Sequence, residues 1–531
     1  MILNDTHPNV VVRKSRQLGL SEVGVEKMIH FADTHSYAKV KALYAFPTGN
    51  QMDTFVKTRL NPQLNDGYYA STITGDSIKS KQLRDSFLIF RTSSRPSTLE
   101  GVDIDWLALD EYDRVPALAE SSALQTLKSS EFKVLNRWST PTSPDVGIDK
   151  LFKQSDQNYY YHKCSHCNHW NLLSHELYDP SKVDAGGNIK LLNPEGIDKL
   201  AGIVVPGTFQ YVCQKCGKPL DRWYNGEWIP NYPDRTKNGD GIRGYHISQL
   251  NAVWISADEI KQAEMTDSSK QMFYNYTVGI PYENAGMKVY DKDVYSHSYD
   301  SFGPVFNRDN YKFLSVGIDW GKNHWLVVMG ITHDGEKHIL NFKSVEKPST
   351  TDMMNMGADM EQIKLFISRY TPDIVVADVG DSGDKVSQLM NYFGKETVYG
   401  CSYKSTPRST GQIEAKWSET NNIVSVDKLM QNKRYINMLK AGDILHYQKV
   451  DSDEYLPLYV EHWQNVIIRE EDDQDTGEIY EIITRKGDDH FSQSSVYALL
   501  GLERLQNIYS NDPNSFNNST AIDISFNQNG Y

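Results

Sequence analysis

One stretch of the sequence constrains the possible fold more than any other. It is NVVVRKSRQLGLSE, residues 9–22. A β-branched run leads into a basic loop, and the loop ends at Gly19-Leu20-Ser21 before a helix-like stretch. Strand, glycine loop and helix in this order form the phosphate-binding loop of α/β nucleotide-binding proteins. The usual motif G-x-x-x-x-G-K-[ST] matches at Gly19 and Ser21, but Leu20 occupies its lysine position. Its first glycine position holds Lys14, so the stretch predicts an α/β domain with an altered phosphate loop.

A lysine at the start of the loop can replace the missing one, because the loop folds back over the phosphates. Such a site needs an ammonium group near the β- and γ-phosphates. Lys14 reaches that point from the other side of the loop, and Arg16 is the second candidate. Ser21 keeps the metal-facing hydroxyl, Gly19 allows the close backbone approach, and the helix N-terminus adds a positive dipole end. We therefore expect ATP to bind at these four residues.

Two later strand ends supply further parts of such a site. WLALDEYDRV is an apolar strand that ends in Asp110-Glu111. In phosphate-loop ATPases such an Asp holds Mg²⁺, and a Glu beside it polarises the attacking water. RWSTPTSP ends a third strand, where the hydroxyl of Ser139 or Thr140 can contact the γ-phosphate. Each motif alone could be a strand that ends in a polar turn, but in this order they favour an ATP site.

Four of the five cysteines form two C-x-x-C pairs, which indicates a metal in a reducing compartment rather than disulfides. Two such pairs complete a tetrahedral zinc site of the structural kind, with no open coordination position. The predicted ligands are Cys164, Cys167, Cys213 and Cys216. A redox pair is the alternative role. The alternative ligands are His162, His166 and His169.

Three acidic residues in the second half of the chain lie at the ends of predicted elements. Asp319 ends the strand FLSVGID, Asp378 lies in the buried strand IVVADVGD, and Asp489 precedes the helix HFSQSSVYALLG. This is the layout of RNase H-like nucleases, which hold two Mg²⁺ or Mn²⁺ ions about 3.5–4 Å apart to activate water. We predict this metal site at the three acids, with His490 as an auxiliary ligand or base. The alternatives are a turn residue for Asp319 and a helix N-cap for Asp489.

The net charge of −14 is weak evidence against nucleic-acid binding, because binding depends on local patches. Each basic cluster of the sequence is either a DNA contact or a solvated face. The clusters are Arg13/Lys14/Arg16, Lys79/Lys81/Arg84, Arg91/Arg95 and Lys433/Arg434. Arg91 could also stabilise transition-state charge. The sequence has no run of eighteen apolar residues and no signal-peptide pattern at its start, so we expect no membrane span and no leader.

Strand-like and helix-like segments alternate over residues 1–145 and again from residue 311, which predicts mostly parallel α/β sheets. Between them, SADEIKQAEMTDSSKQMFYNYTVG predicts one helix. The predicted division is as follows: a P-loop ATPase domain of the ASCE type at 1–155, a zinc-binding module at 156–250, a connector at 251–310, an RNase H-like nuclease domain at 311–508 and a flexible tail at 509–531.

The motifs and their order resemble the large subunit of the tailed-phage DNA-packaging terminase, of the type found in phage lambda. The resemblance covers nearly the whole chain and rests on RKSRQLGLSE, AFPTGNQMDTFVKTRLNP, WLALDEYDRV, RWSTPTSP, YYYHKCSHCNHW, YVCQKCGKPL, GYHISQLNAVWIS and SVGIDWG. It implies an ATP-driven motor that moves viral DNA into a procapsid, and a metal-dependent endonuclease that cuts concatemeric DNA. Members of this type carry the displaced phosphate-loop lysine, which matches Lys14. The nuclease acids carry over to Asp319, Asp378 and, less closely, Asp489.

The resemblance also implies cofactors, partners and a location. The cofactors are ATP, Zn²⁺ and either Mg²⁺ or Mn²⁺. The partners are double-stranded DNA, the portal and procapsid, the small terminase subunit and further copies of the chain in a ring, with no membrane. The expected location is the host cytoplasm, with transient binding to the portal of the procapsid.

Two departures from the family pattern set expectations of their own. The family carries an adenine-contacting motif upstream of the phosphate loop, whereas few residues precede the loop here. We expect that segment to be missing or encoded elsewhere, or the base contacts to come from other residues. Gln493 and Ser494 stand where relatives carry a later Asp. Two other functions stay open: an RNase H-like transposase or resolvase without motor activity, and an inactive scaffold that binds DNA or the portal.

Overall fold

The chain divides into two compact units, Met1–Glu283 and Asn284–Tyr531, each with its own apolar core. Among the described residues, no helix is both long and apolar enough to cross a membrane. The predicted tail lies outside the described residues from position 511 onward. The computed structural model describes residues 1–173, 189–191, 197–198, 203–267, 269–284, 286–348, 357–380, 383–403, 409, 411, 414–472 and 478–510.

The first unit is built on short strands of two to seven residues. In chain order they are β1 (Asn9–Lys14), β2 (Lys41–Phe46), β3 (Ile73–Asp76), β4 (Ser80–Leu83), β5 (Ser86–Thr92), β6 (Trp106–Asp110), β7 (Val134–Ser139), β8 (Asn158–Lys163), β9 (Trp170–Asn171), β10 (Ile189–Leu191), β11 (Ile197–Asp198), β12 (Ile203–Val204), β13 (Phe209–Tyr211), β14 (Gly226–Pro230) and β15 (Arg243–Ile247).

Most of these strands form one sheet in the order β14-β8-β15-β1-β7-β6-β2-β5-β4-β3, with β9 beside β8. The neighbours from β15 to β5 are parallel, as the alternating strand and helix pattern predicts. β1 and β6 contain continuous apolar runs, VVV and WLAL, because both faces of these strands are buried. The carboxyl ends of parallel strands meet at one edge, so the phosphate loop and the predicted acidic pair come together there.

Helices cover the sheet of the first unit and connect its strands. They are α1 (Leu20–Thr34), α2 (Gly49–Phe55), α3 (Asn61–Asn65), α4 (Ala117–Thr126), α5 (Gly147–Gln154), α6 (Ala257–Thr266) and α7 (Lys270–Met272). A π-helical turn, Val56–Leu60, joins α2 to α3, so residues 49–65 form one continuous helical segment. A second π-helical turn, Phe273–Val278, continues α7.

The single helix predicted over residues 256–279 is wrong, because the chain forms two helices there. The first helix, α6, begins at a capping box between Ser256 and Glu259 and ends at Thr266. Asp267 then adopts a non-helical backbone with ψ 135°. Ser269 caps the second helix by accepting a hydrogen bond from the Met272 N–H. Residue 268 between them lies outside the described residues.

The predicted bounds 1–155 and 156–250 divide strands that share one sheet. β8, β14 and β15 all follow residue 155, yet they extend the sheet that contains β1. The cysteine-bearing segments therefore leave from and return to the first sheet. The change from one compact unit to the other falls after Glu283, inside the predicted connector at 251–310.

The second unit contains longer strands and a long final helix. Its strands are β16 (Ser298–Phe302), β17 (Tyr311–Asp319), β18 (Asn323–Thr332), β19 (Lys337–Glu346), β20 (Ile374–Asp378), β21 (Val398–Tyr403), β22 (Lys416–Ser418), β23 (Ile423–Val426), β24 (Ile444–Gln448), β25 (Val466–Asp472) and β26 (Ile479–Arg485). Its helices are α8 (Asp291–Tyr295), α9 (Ala358–Ser368), α10 (Gly383–Phe393), α11 (Lys428–Ala441), α12 (Tyr455–Asn465) and α13 (His490–Ser510).

The sheet of the second unit has the order β16-β24-β19-β18-β17-β20-β21-β23-β22, and β25 pairs with β26 in a separate hairpin. β17, β18 and β19 pair in an antiparallel manner, while β17, β20, β21 and β23 are parallel. α13 packs directly on β17, because Gly317 leaves room for the helix backbone. A Cβ built at Gly317 would lie 1.8 Å from the Ser494 carbonyl oxygen. The end of β17 and the start of α13 are thereby brought together.

Candidate functional site

The phosphate loop of the first unit has the expected strand, loop and helix geometry. β1 ends at Lys14, and α1 begins after Gly19, which has a left-handed φ of 73°. A Cβ built at Gly19 would meet no atom within 4 Å, so space lies open at this point of the loop. At Gly24 a Cβ would lie 2.5 Å from the Trp138 ring and 2.8 Å from the Tyr44 hydroxyl. Glycine at this position lets α1 pack closely on the sheet.

The Asp110 carboxylate, at the end of β6, accepts three hydrogen bonds. The Ser21 hydroxyl and the Tyr44 hydroxyl donate to its Oδ2 at 3.1 and 2.9 Å, and the Glu111 N–H donates to Oδ1 at 2.9 Å. Burial raises the pKa of Asp110, and the charge of Glu111 raises it further, while Lys14 acts in the opposite direction. The predicted hydroxyl and metal-binding acid are therefore in direct contact.

Lys14 lies against the predicted catalytic acid. Its Nζ is 3.1 Å from Glu111 Oε1, and the lysine side chain is only 8% exposed. Burial acts to raise the pKa of Glu111, but the Lys14 charge and hydrogen bond outweigh it and lower that pKa. Glu111 has a left-handed φ of 47°, which is a strained backbone for a residue with a Cβ. The displaced lysine therefore contacts one member of the acidic pair, a contact that the sequence did not predict.

Two buried hydroxyls beside the loop have no hydrogen-bond partner among the described residues. They are Ser15 Oγ and Thr140 Oγ1. A buried hydroxyl without a partner is costly, so such groups indicate a place where a polar ligand binds. Ser139 differs, because its Oγ accepts from the Asp113 N–H and donates to the Thr140 carbonyl oxygen. Of the two predicted hydroxyls, Thr140 therefore remains the candidate for a phosphate contact.

The two other basic candidates of this unit have protein contacts. The Arg16 guanidinium lies 3.4 Å from the centroid of the Tyr276 ring, and its charge is among those that lower the pKa of Glu111. Arg91 donates to the carbonyl oxygens of Thr98 and Glu100 at 3.1 and 2.8 Å. Arg91 thus ties β5 to the backbone at residues 98–100. The contact with Tyr276 was not predictable from any motif, since the two residues are far apart in sequence.

The four predicted zinc ligands form one cluster. Their sulfur atoms all lie within 4.8 Å of one another; the Sγ atoms of Cys164 and Cys216 are 3.7 Å apart, and those of Cys167 and Cys213 are 3.6 Å apart. Such spacing fits four thiolates around one ion. His162 is not part of the cluster: it is buried, contacts the Asn251 amide, and its pKa is lowered to about 4 by burial.

In the second unit, Asp319 and His490 are in contact. His490 Nδ1 lies 2.6 Å from Asp319 Oδ2, and the imidazole stacks on the Trp325 ring at 5.5 Å. Burial raises the pKa of Asp319, while the hydrogen bond and charge of His490 act to lower it. The charges of Asp378 and Asp489 raise that pKa as well. The predicted acids are therefore close enough to interact.

The three carboxylates are nevertheless spread more widely than the four thiols. Among the described residues, only the cysteines form a group of three or more potential ligands within 4.8 Å. Asp489 pairs with Arg485 at 2.9 Å and receives a 3.4 Å contact from the Gln493 amide. At Asp378, the backbone carbonyl accepts from the Trp320 indole N–H at 2.8 Å.

The two residues that depart from the family pattern have different surroundings. Gln493 Oε1 accepts a hydrogen bond from the Tyr403 hydroxyl at 2.6 Å, and its amide lies beside Asp489. Ser494 faces the sheet, where its hydroxyl lies 2.9 Å from the carbonyl oxygens of Trp325 and His490. Only Gln493 adjoins the acids, so position 494 serves the packing of α13.

Several residues of the predicted basic clusters form ion pairs with acidic residues of the same unit. This favours the interpretation of structural ion pairs over that of free DNA contacts. The pairs are Arg13 with Asp149, Lys81 with Asp76, Arg84 with Asp33, Lys433 with Glu481 and Arg434 with Glu503.

The chain is similar to one family model and to several solved structures. Residues 1–228 match the family model of the phage terminase large subunit gpA, ATPase domain. No curated protein matches the chain. The crystal structure of the HK97 bacteriophage large terminase is similar, with 9% identity and a TM-score of 0.51 over 94% of this chain and 93% of that one. The large terminase of a thermophilic bacteriophage, solved in complex with ADP, has 12% identity and a TM-score of 0.31, over 93% of this chain and 96% of that one.

These findings confirm the predicted α/β fold class and the predicted family resemblance. The family match is confined to residues 1–228, which include β1, β6 and the four cysteines. The likeness to the HK97 protein extends the shared fold over both units.

Proposed function

We propose that this chain, whose residues 1–228 match the family model of the phage terminase large subunit gpA, ATPase domain, is a large terminase subunit with two activities. One is ATP-driven translocation of viral DNA into procapsids. The other is metal-dependent endonucleolytic cutting of concatemeric DNA. One observation carries the motor activity: Lys14 contacts Glu111, and Ser21 contacts Asp110, at one edge of a parallel sheet.

The residues of the phosphate loop have separate roles in the proposed motor. Bound ATP would supply the phosphoryl group whose transfer to water drives the motor, with Mg²⁺ beside Ser21 and Asp110. Lys14 provides the ammonium group, and it keeps the Glu111 carboxylate ionised by lowering its pKa. An ionised Glu111 can orient and polarise water. Gly19 leaves the backbone open to the phosphates.

Two further residues complete the proposed nucleotide site. The Thr140 hydroxyl is buried and has no partner among the described residues, so a phosphate oxygen would satisfy it. Arg16 is a second cation at the loop, where its charge adds to that of Lys14 on Glu111.

We assign the nuclease site to Asp319, Asp378 and Asp489. Mg²⁺ or Mn²⁺ at these acids would activate water and stabilise the leaving oxygen. The three negative charges disfavour one another, since Asp378 and Asp489 both raise the pKa of Asp319, and a divalent cation relieves that repulsion. His490, at 2.6 Å from Asp319, can hold a proton beside this carboxylate.

We assign a structural zinc ion to the four cysteines. Four thiolates leave no open position for a substrate, which favours a role in folding over one in catalysis. The cluster lies in segments that leave from and return to the first sheet, where the ion would fix the turns around both cysteine pairs.

The proposed partners follow from the proposed function. They are double-stranded DNA, the portal of the procapsid, the small terminase subunit and further copies of the chain in a ring. The proposed place of action is the host cytoplasm, at the portal and without a membrane.

Two assays on the purified full chain test this proposal. ATP hydrolysis is measured with and without double-stranded DNA, and nicking of supercoiled plasmid is measured with Mn²⁺. We expect DNA-stimulated hydrolysis and metal-dependent nicking. Nicking without DNA-stimulated hydrolysis would instead favour an RNase H-like transposase or resolvase. Loss of both, with DNA or portal binding retained, would favour an inactive scaffold.

A further inference from the structure

We propose that the four-cysteine cluster positions the phosphate loop, so that loss of its metal weakens nucleotide binding; this rests on the proposed ATPase function. Two chain segments, residues 247–251 and 273–280, contact both places, and we call them the support segments. They lie outside the phosphate-loop motif and outside the cysteine motifs.

The support segments bind the backbone of the phosphate loop directly. The Ser15 N–H donates to the Ile247 carbonyl oxygen at 3.0 Å, and the Arg16 N–H donates to the Tyr276 carbonyl oxygen at 2.9 Å. The Gln249 amide donates to the Arg16 carbonyl oxygen at 3.2 Å. Because these are backbone groups of the loop, the support segments fix the path of the loop itself.

Two packing contacts reinforce these hydrogen bonds. A Cβ built at Gly279 would lie 2.6 Å from the Ser15 nitrogen and 2.9 Å from the Lys14 carbonyl carbon. The Arg16 guanidinium lies 3.4 Å from the centroid of the Tyr276 ring. The second support segment is therefore in van der Waals contact with the loop beside Lys14, the proposed catalytic lysine.

The support segments also share an apolar cluster with two of the cysteines. Cys164 and Cys213 belong to one buried apolar cluster together with Leu250, Phe273 and Val278. All five side chains are at most 4% exposed. Close-packed side chains transmit displacements, since no free space absorbs them.

Arg222 adds a polar connection six residues after the second cysteine pair. Its guanidinium donates to the carbonyl oxygens of Leu250, Ala252 and Ile255 at 2.7, 3.0 and 2.7 Å. It also lies 3.7 Å from the centroid of the Tyr211 ring, just before Cys213. The chain that carries the second cysteine pair is thus tied to the first support segment.

These contacts couple metal binding to nucleotide binding. A metal ion holds two distant parts of the chain together at the cysteines, and without it local opening of this cluster is favoured. Opening would release the support segments and lower the fraction of molecules with a correctly placed phosphate loop. The apparent affinity for nucleotide falls by that fraction.

The test uses the full chain, with its zinc content measured for each protein. Wild type is compared with Cys216→Ser, which removes an exposed thiol of the cluster. The matched control is Lys215→Ser, the exposed neighbour between the two cysteines. The readouts are the Kd for a fluorescent ADP analogue and amide hydrogen exchange at Ser15 and Arg16.

We expect Cys216→Ser to lose zinc and to bind the ADP analogue about tenfold more weakly, within the usual range for coupled sites. Exchange at Ser15 and Arg16 should accelerate, while exchange in β17 of the second unit stays unchanged. Chelation of wild-type zinc should have the same effect, and added zinc should reverse it. Lys215→Ser should match wild type.

A second variant tests the contact with the loop. Gly279→Ala leaves the cysteines intact but places a methyl group against Ser15. We expect full zinc content with weakened binding of the ADP analogue.

Three results would overturn the inference: unchanged affinity and exchange after zinc loss, accelerated exchange throughout both units, or full affinity in Gly279→Ala. If zinc-loaded wild type binds no nucleotide, the proposed ATPase function fails. Exchange at Ser15 and Arg16 then still decides whether the cluster positions the loop.

Discussion

At the scale of single residues, Asp110 is the point where the contacts of the nucleotide site converge. Its bond with Ser21 was predictable, because phosphate-loop and acidic-strand motifs each assign a residue to the same metal. Its bond with Tyr44 was not, since this contact joins residues 66 positions apart and Tyr44 belongs to no motif. Burial raises the pKa of Tyr44 well above its usual range, so the phenol stays a donor to Asp110.

Removal of the Tyr44 hydroxyl tests this buried network. Tyr44→Phe deletes the donor to Asp110 and leaves the Trp138 indole N–H, now 3.3 Å from that hydroxyl, without an acceptor. We expect a loss of about 1–3 kcal/mol in the stability of the first unit, because a buried polar group is left unpaired. Thermal unfolding is the measurement. The control is Tyr224→Phe, at a residue that is 85% exposed; an equal shift in both variants would contradict the account.

At the scale of elements, local patterns predicted the strands and helices that position the sites. β1, β6, β17 and α13 were all recognisable because apolar periodicity is a short-range property. The pairing of β8, β14 and β15 with the first sheet was not recognisable, since it depends on contacts between distant segments. The break between α6 and α7 depends on the cap at Ser269, which lies inside a stretch of helical pattern.

The packing of α13 on β17 gives a test at this scale. Gly317→Ala would place a methyl group 1.8 Å from the Ser494 carbonyl oxygen, so the helix must move away from the strand. We expect a loss of about 1–3 kcal/mol in the stability of the second unit, as for other overpacked cores. Plasmid nicking should also fall, because Asp489 and His490 lie at the start of that helix.

The control for this variant is Gly383→Ala in the same unit, where a Cβ would meet no atom within 4 Å. Thermal unfolding and plasmid nicking are measured on both variants. A Gly317→Ala protein as stable and as active as Gly383→Ala would show that α13 does not fix the acidic site.

At the scale of the whole molecule, each compact unit contains one candidate catalytic site. The nucleotide residues from Lys14 to Thr140 lie within Met1–Glu283, and the acids from Asp319 to Asp489 lie within Asn284–Tyr531. Net charge and composition predict no such arrangement of candidate sites. The order of the motifs predicts it, because each motif is typical of one kind of active site.

Because the two candidate sites lie in different units, we expect that nuclease activity can be removed without loss of ATPase activity. Asp319→Ala removes a carboxylate from the acidic site, so we expect loss of metal-dependent plasmid nicking with DNA-stimulated ATP hydrolysis retained. The control is Asp309→Ala, at an exposed residue of the same unit, which should keep both activities. Equal nicking by Asp319→Ala and wild type would place the nuclease site elsewhere.

The proposed role of Lys14 as the displaced lysine of the phosphate loop is tested by the DNA-stimulated ATPase activity of Lys14→Ala beside wild type. Arg16→Ala tests the contribution of the second cation separately from that of Lys14. The control is Lys128→Ala, at an exposed lysine of the same unit. We predict that Lys14→Ala lowers turnover by about 10²–10³-fold, the usual effect of removing one preorganised charge-stabilising group. Lys128→Ala should keep wild-type turnover. Wild-type turnover in Lys14→Ala would contradict the account and, if Arg16→Ala is inactive, would assign the role to Arg16.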